Sequence, residues 1–97
     1  MKYEVKTKQG KNYIVSDDNA WLWIELERGL GLTMKQAIEK MSNGSLDVIT
    51  WLLHRASLEA KHTEVKTQKT WVETEFDSFE VVEEDPKATQ TEALDAV

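Results

Sequence analysis

Residues 19–31, NAWLWIELERGLG, carry more apolar bulk than one face of a helix can hold. At 100° per residue, one side of this predicted helix gathers three large apolar side chains, Leu22, Trp23 and Leu26. Another side carries Trp21 and Ile24. A helix at the edge of a small domain needs only one apolar stripe. The second stripe must therefore be covered by the rest of the chain or by another molecule.

The predicted third helix shows a similar excess, because Val48 and Trp51 lie off its main apolar stripe. Under one interpretation, an N-terminal hairpin covers the second stripe of the first helix, and the tryptophans belong to the core. Under the other, part of this surface binds another protein, since tryptophan is enriched at binding hot spots. The second interpretation predicts a partner interface at Trp21, Ile24, Val48 and Trp51, and a self-association face at Leu22, Trp23 and Leu26.

The first fifteen residues alternate apolar and polar side chains. Tyr3 and Val5 share one face, Tyr13 and Val15 resume the alternation, and KQGK lies between them as a turn. This pattern predicts a β-hairpin over residues 1–15 with one apolar face. An isolated hairpin is marginal in water, so we expect it to lie on the helices.

Four helices are predicted within residues 16–82, over 16–31, 33–44, 45–61 and 70–82. The first helix is expected to begin after Ser16 or Asp17 and to end at Gly29 or Gly31. The second should begin with a Thr33–Gln36 capping box and end at Asn43–Gly44. Ser45 should cap the third, and a Thr70–Glu73 capping box should begin the fourth. The predicted fold is therefore α+β and mainly α: one domain over residues 1–82, in which a hairpin precedes a bundle of about four helices. Residues 83–97 are acidic and poor in large apolar side chains, which predicts a flexible tail that begins with Glu83, Glu84 and Asp85.

The distribution of charge argues against nucleic acid as a partner. The formal net charge is −6, and only residues 1–15 are basic, with four lysines against Glu4. Residues 16–81 hold seven basic and twelve acidic side chains. Phosphate backbones repel such a body, so we expect no nucleic-acid partner.

Residues that could carry enzymatic chemistry are sparse. The chain has no cysteine, and His54 and His62 lie eight residues apart rather than at the three or four typical of a metal pair on a helix. His54 is expected on the polar face of the third helix. We therefore expect no enzyme, no metal and no cofactor. No signal peptide and no apolar run of membrane-spanning length is seen, which favours the cytoplasm and no membrane partner.

The order and character of the segments resemble a known family. A β-rich start leads to WLWIELERGLGLT, a second helix follows, and then come SLDVITWLLHRASLEAK and WVETEFDSFEVVEEDP. This arrangement, over residues 13–86, is similar to the tail assembly chaperones of long-tailed bacteriophages, especially those of actinobacterial hosts. The resemblance rests on the order of segments and contains no diagnostic motif.

The resemblance implies a non-catalytic role in virion assembly. Such chaperones coat the long, helical tape measure protein, keep it soluble and bring tail tube subunits to it. They self-associate, and they are usually made in two forms, the longer one by a ribosomal frameshift near the end of the short frame. The expected location is then the host cytoplasm and not the mature virion. The family has no catalytic residues to carry over to this chain.

Two other classes of protein fit parts of the pattern. An acidic phage inhibitor or DNA mimic would suit the net charge, but mimics spread carboxylates over the whole body. Here lysines intervene at 35, 40, 61, 66 and 69. A head–tail connector or another tail component would also suit a small phage protein. The sequence alone leaves these alternatives open.

Overall fold

A three-stranded antiparallel sheet packs against four helices in the computed structural model, which describes residues 1–82. In chain order the elements are Lys2–Thr7 (β1), Asn12–Ser16 (β2), Ala20–Leu30 (α1), Met34–Ser42 (α2), Leu46–Glu59 (α3), Gln68–Thr74 (α4) and Phe76–Val82 (β3). The strand order is β2-β1-β3, so the first and last strands of the chain segment lie side by side. The α+β, mainly helical fold class predicted from the sequence is confirmed. The predicted acidic tail at Glu83, Glu84 and Asp85 lies outside the described residues.

The predicted hairpin is confirmed, and its apolar face forms one wall of the core. β1 pairs with β2 so that Tyr3 lies opposite Val15 and Val5 lies opposite Tyr13. All four side chains are buried. Gly10 adopts a φ of 84° in the connecting turn, a conformation that glycine adopts without steric cost. Alternation in the sequence predicted this element because a strand exposes one face and buries the other.

The boundaries of α1 and α2 follow capping residues, although the N-cap of α1 differs from the prediction. The N-cap of α1 is Asn19, whose side chain accepts a hydrogen bond from the Trp21 amide, and not Ser16 or Asp17. Gly31, with φ 70°, ends α1 in the left-handed conformation. The Thr33–Gln36 capping box of α2 is confirmed, with both reciprocal hydrogen bonds present.

The predicted fourth helix over 70–82 is wrong in its second half. Helix α4 ends at Thr74, and β3 continues to Val82. Phe76 and Phe79 are three residues apart, a spacing that the sequence pattern assigns to a helical stripe. In the sheet, Phe79 lies opposite Val5 and Phe76 lies opposite Thr7, so β3 holds one extra residue, Asp77, relative to β1. Phe76 and Phe79 therefore both pack against the core. Pairing with β1 stabilises the segment as a strand, which local propensity cannot foresee.

The start of α4 also differs from the prediction. Its N-cap is Thr67, whose hydroxyl accepts a hydrogen bond from the Thr70 amide. The expected capping box at Thr70–Glu73 is therefore wrong. Helix α4 begins at Gln68, directly after Thr67, and not at Thr70. Ser45 lies at the N-cap of α3 as expected, although its side chain makes no capping hydrogen bond.

The centre of the core lies between α3, α4 and the hairpin. Trp71 of α4 is fully buried and contacts the rings of His54 and Phe76. The Tyr13 hydroxyl donates to Ser57 Oγ at 3.0 Å across the sheet–helix boundary. His54 is 2 % exposed, and its Nε2 lies 2.8 Å from the Val65 carbonyl oxygen. The expected polar-face position of His54 is wrong, because the segment after α3 folds back and covers that face.

Candidate functional site

Two of the predicted partner-interface residues belong to the core. Val48 is 3 % exposed and Trp51 is 8 % exposed, so neither offers free surface, and their prediction as exposed interface residues is corrected. The indole of Trp51 lies against Gly29 of α1, where an added Cβ would lie 3.0 Å from its ring. The α1–α3 contact therefore covers a side chain that the helical wheel assigns to an unused face. Arg55 covers the same ring, with its guanidinium carbon 5.2 Å from the ring centroid.

The predicted self-association face is also mostly interior. Leu22 and Leu26 are buried at 2 % and 0 % exposure, and Trp23 is partly buried. The prediction of Leu22 and Leu26 as a free face is therefore corrected, because α1 uses this stripe to pack on the rest of the domain. Trp23 keeps part of its ring accessible in the groove described below.

The other two predicted interface residues are exposed. Trp21 is 47 % exposed and Ile24 is 41 % exposed, on the outer side of α1. The guanidinium carbon of Arg28, two turns further on, lies 5.3 Å from the centroid of the Trp21 ring. We call these three residues the α1 stripe. Two large apolar side chains beside a cation form an accessible surface that the core does not use.

A second apolar surface lies in an open groove of about 760 Å³ between α2, the sheet and α3. We call it the α2 groove. Its polar lining is confined to one end and to Ser42, and the remaining lining is apolar. The lining residues are Met1, Tyr3, Asp17, Asp18, Ala20, Trp23, Met34, Ile38, Met41, Ser42, Ile49, Leu52, Leu53, Phe79 and Val81.

Helix α2 forms one wall of the groove because its apolar stripe is only partly used. Met34, Ala37, Ile38 and Met41 follow the spacing of one helical face. Only Ala37 is fully buried, whereas Met34 is 49 % and Ile38 is 44 % exposed. On the opposite wall, Val81 of β3 is 49 % exposed although it pairs with the buried Tyr3. The groove is therefore an accessible surface on which three apolar side chains remain about half exposed.

The polar groups at one end of the groove are bonded to one another through Asp17. Its carboxylate accepts hydrogen bonds from the Tyr3 hydroxyl at 2.8 Å and from the Met1 amino group at 2.9 Å. Its backbone carbonyl accepts the Trp23 indole N–H at 2.7 Å, which orients the ring that lines the groove. Because these groups satisfy one another, the groove interior stays apolar.

The pKa values at this end follow from the same contacts. Burial and the Asp17 carboxylate raise the pKa of Tyr3, so its hydroxyl stays protonated and keeps donating. The hydrogen bond with Asp17 raises the pKa of the Met1 amino group. The Ser16 hydroxyl and the Met1 amino group lower the pKa of Asp18, whose side chain is 72 % exposed and ionised at neutral pH. Asp17 and Asp18 share the Met1 ammonium, at 2.9 and 3.2 Å, so two carboxylates face one cation and this rim of the groove is net negative.

The sequence contained a signal for this site, but its meaning depended on the fold. The α2 stripe has clear helical spacing, but spacing does not show whether another element covers the stripe. Whether a stripe is covered depends on the neighbouring elements, and β3, which supplies Phe79 and Val81, was expected to be helical. The groove therefore could not be located from the sequence.

Comparison with known protein families, curated proteins and solved structures gave no significant match for this chain. Within residues 1–82, no group of three or more histidine, cysteine or carboxylate side chains could hold a metal ion. No helix of the same residues is long and apolar enough to cross a membrane.

Proposed function

We propose that this protein is a non-catalytic phage tail assembly chaperone that holds an amphipathic helix of the tape measure protein in the α2 groove. The observation that carries the proposal is the groove itself, with three half-exposed apolar side chains on its two walls. The resemblance in segment order over residues 13–86 supplies the identity of the partner. The groove supplies a binding mode, in which a helix lays its apolar face into a hydrophobic groove.

The chemistry of the lining suits a helix with a variable sequence. Met34 and Met41 are unbranched and flexible, so they can adapt to different apolar side chains as a long partner presents successive turns. Trp23 and Phe79 supply larger, more rigid contact area. A chaperone that coats a long helical protein must accept many related segments, and such a lining favours breadth over selectivity.

The net charge supports the same role. A net charge of −6 on each copy keeps one coated complex dispersed from the next by mutual repulsion. In this proposal the protein acts in the host cytoplasm, forms homo-oligomers, helps to recruit tail tube subunits and is absent from the mature virion. It binds neither nucleic acid nor membrane. A frameshifted longer form would extend the chain near its acidic end.

Peptide binding tests the groove directly. Peptides of about 25 residues that cover a tape measure protein of the encoding phage are titrated by fluorescence anisotropy. We expect several to bind and to gain helical circular dichroism. Replacing Met34 and Ile38 by serine should weaken binding about 30-fold, because covering each half-exposed side chain contributes about 1 kcal/mol. The control is Leu46→Ser, which removes an apolar side chain 65 % exposed outside the groove.

Two results would contradict the proposal. One is the absence of binding by every tape measure peptide to the folded wild-type chain. The other is equal weakening by the groove variant and the Leu46→Ser control. Mass spectrometry of purified virions separates the chaperone from a connector or tail component, since only a structural component should be present there. Capture of a nucleic-acid enzyme on the immobilised chain would favour the inhibitor.

A further inference from the structure

The protein has two accessible apolar surfaces of opposite shape. The α1 stripe is convex, with Trp21 and Ile24 projecting from one side of a helix of eleven residues. The α2 groove is concave and has apolar walls. Leaving both exposed on a monomer would be an aggregation hazard. Complementary surfaces at different places on one molecule generate a head-to-tail contact between copies.

The charges beside the two surfaces are complementary as well. Arg28 continues the α1 stripe, and Glu25 lies on the same side of the helix. At the groove, the exposed carboxylate of Asp18 lies on the rim, and Lys35 follows Met34 on the solvent side of α2. Asp17 and Asp18 share the single Met1 ammonium, so the rim near Asp18 is net negative and complements Arg28, while Lys35 complements Glu25. Opposite charges at an interface determine register and orientation more than affinity.

We propose that the α1 stripe of a second copy occupies the α2 groove, so that copies associate head to tail until a partner helix displaces the stripe. Each copy covers the apolar groove of its neighbour and offers its own groove to the next. The contact is heterologous, so copies assemble into a ring if the rotation between neighbours closes and into an open chain if it does not. The displacement step rests on the proposed function, because both assign a helix to the same groove, whereas the association itself does not.

Mixing two complementary variants tests the geometry. The stripe variant carries Trp21→Ala and Ile24→Ser, and the groove variant carries Met34→Ser and Ile38→Ser. All four side chains are 41–49 % exposed, so both variants should keep the wild-type fold, which circular dichroism and melting verify. Analytical ultracentrifugation up to about 500 µM should show a wild-type mass that rises with concentration, and monomers for each variant alone.

The mixture is the decisive measurement. The stripe variant retains its groove and the groove variant retains its stripe, so an equimolar mixture forms one intact contact and stops at a heterodimer. A symmetric contact would give no such rescue, because each variant would damage its own half of the shared surface. Leu46→Ser is the matched control and should associate like the wild type.

Charge reversal tests the pairing of the rims. Arg28→Asp should weaken self-association about tenfold, and mixing it with an Asp18→Arg groove partner should restore the contact. The inference is overturned if the wild type stays monomeric at all concentrations, if either double variant associates like the wild type, or if the mixture forms no heterodimer. If charge reversal does not weaken association, the assigned pairing of Arg28 with Asp18 is wrong.

Displacement is measured with a designed amphipathic peptide of about 18 residues that carries leucine at i, i+3, i+4 and i+7. We expect this peptide to convert wild-type chains into peptide-bound monomers. The mixture could form the heterodimer while neither the designed peptide nor any tape measure peptide binds. That result would refute the proposed function and retain the head-to-tail contact. Tape measure binding by a strictly monomeric protein would refute the contact and retain the proposed function.

Discussion

Substitution of Gly29 by alanine sets helix propensity against packing, and the structure decides which effect is larger. In a helix, alanine is favoured over glycine by about 0.5–1 kcal/mol. At Gly29, however, the new Cβ would lie 3.0 Å from Cζ2 of Trp51, with two further indole atoms at 3.5 Å. Trp51 is 8 % exposed, so its ring has little room to move. Overpacking of this kind costs about 1–3 kcal/mol, so we expect a net loss of about 1 kcal/mol.

A double-mutant cycle separates the two effects. Trp51→Phe removes the indole atoms that approach Gly29, so in that background Gly29→Ala should become neutral or stabilising by about 0.5 kcal/mol. Urea unfolding monitored by circular dichroism gives all four free energies of unfolding. The reasoning is refuted if Gly29→Ala stabilises the wild-type chain, or if its effect is the same in both backgrounds. Either result would mean that the α1–α3 contact does not confine the Trp51 ring.

Three further predictions concern the core. Trp51→Ala should lower the free energy of unfolding by about 3–5 kcal/mol and Trp21→Ala by less than about 1 kcal/mol, measured by urea unfolding, because only the first ring is buried; equal effects would contradict the assignment. Burial lowers the pKa of His54 below its ordinary value of 6.5, so the unfolded chain takes up the proton first, and stability should fall as pH drops below 6.5. His54→Gln should flatten that decline in thermal melts, and an unchanged slope would refute it. Ser57→Ala should lower the free energy of unfolding by about 1–3 kcal/mol, because it leaves the buried Tyr13 hydroxyl without its acceptor. Tyr13→Phe should lower it by only about 1 kcal/mol. The reverse order in urea unfolding would exclude this hydrogen bond.

Features that depend on neighbours in sequence were predicted well. Alternation at Tyr3, Val5, Tyr13 and Val15 predicted the hairpin, and helical spacing with caps predicted the first three helices. These signals work because one repeat of a strand or helix places successive side chains on a defined face. The Thr33–Gln36 capping box was correct for the same reason, since both of its hydrogen bonds join residues three apart.

Features that depend on distant pairing were not predicted. Phe76 and Phe79 have helical spacing, yet pairing with β1, more than sixty positions earlier, makes the segment a strand with a shifted register. Helical periodicity likewise assigned Trp21 and Trp51 only to faces of their own helices, and both faces lay off the main apolar stripe. It could not show that Gly29 leaves room for the Trp51 indole, while nothing in residues 1–82 covers Trp21 beyond half of its surface.

The sequence by itself determined the hairpin, the first three helices, the excess of apolar helical surface and the acidic charge of this protein. Tertiary structure alone decided where that excess lies: Val48, Trp51, Leu22 and Leu26 became core, and Met34, Ile38 and Val81 became the walls of an open groove. The physical reason is that periodicity assigns a side chain to a face of its own element. Whether that face is covered depends on how strands and helices far apart in sequence pack together.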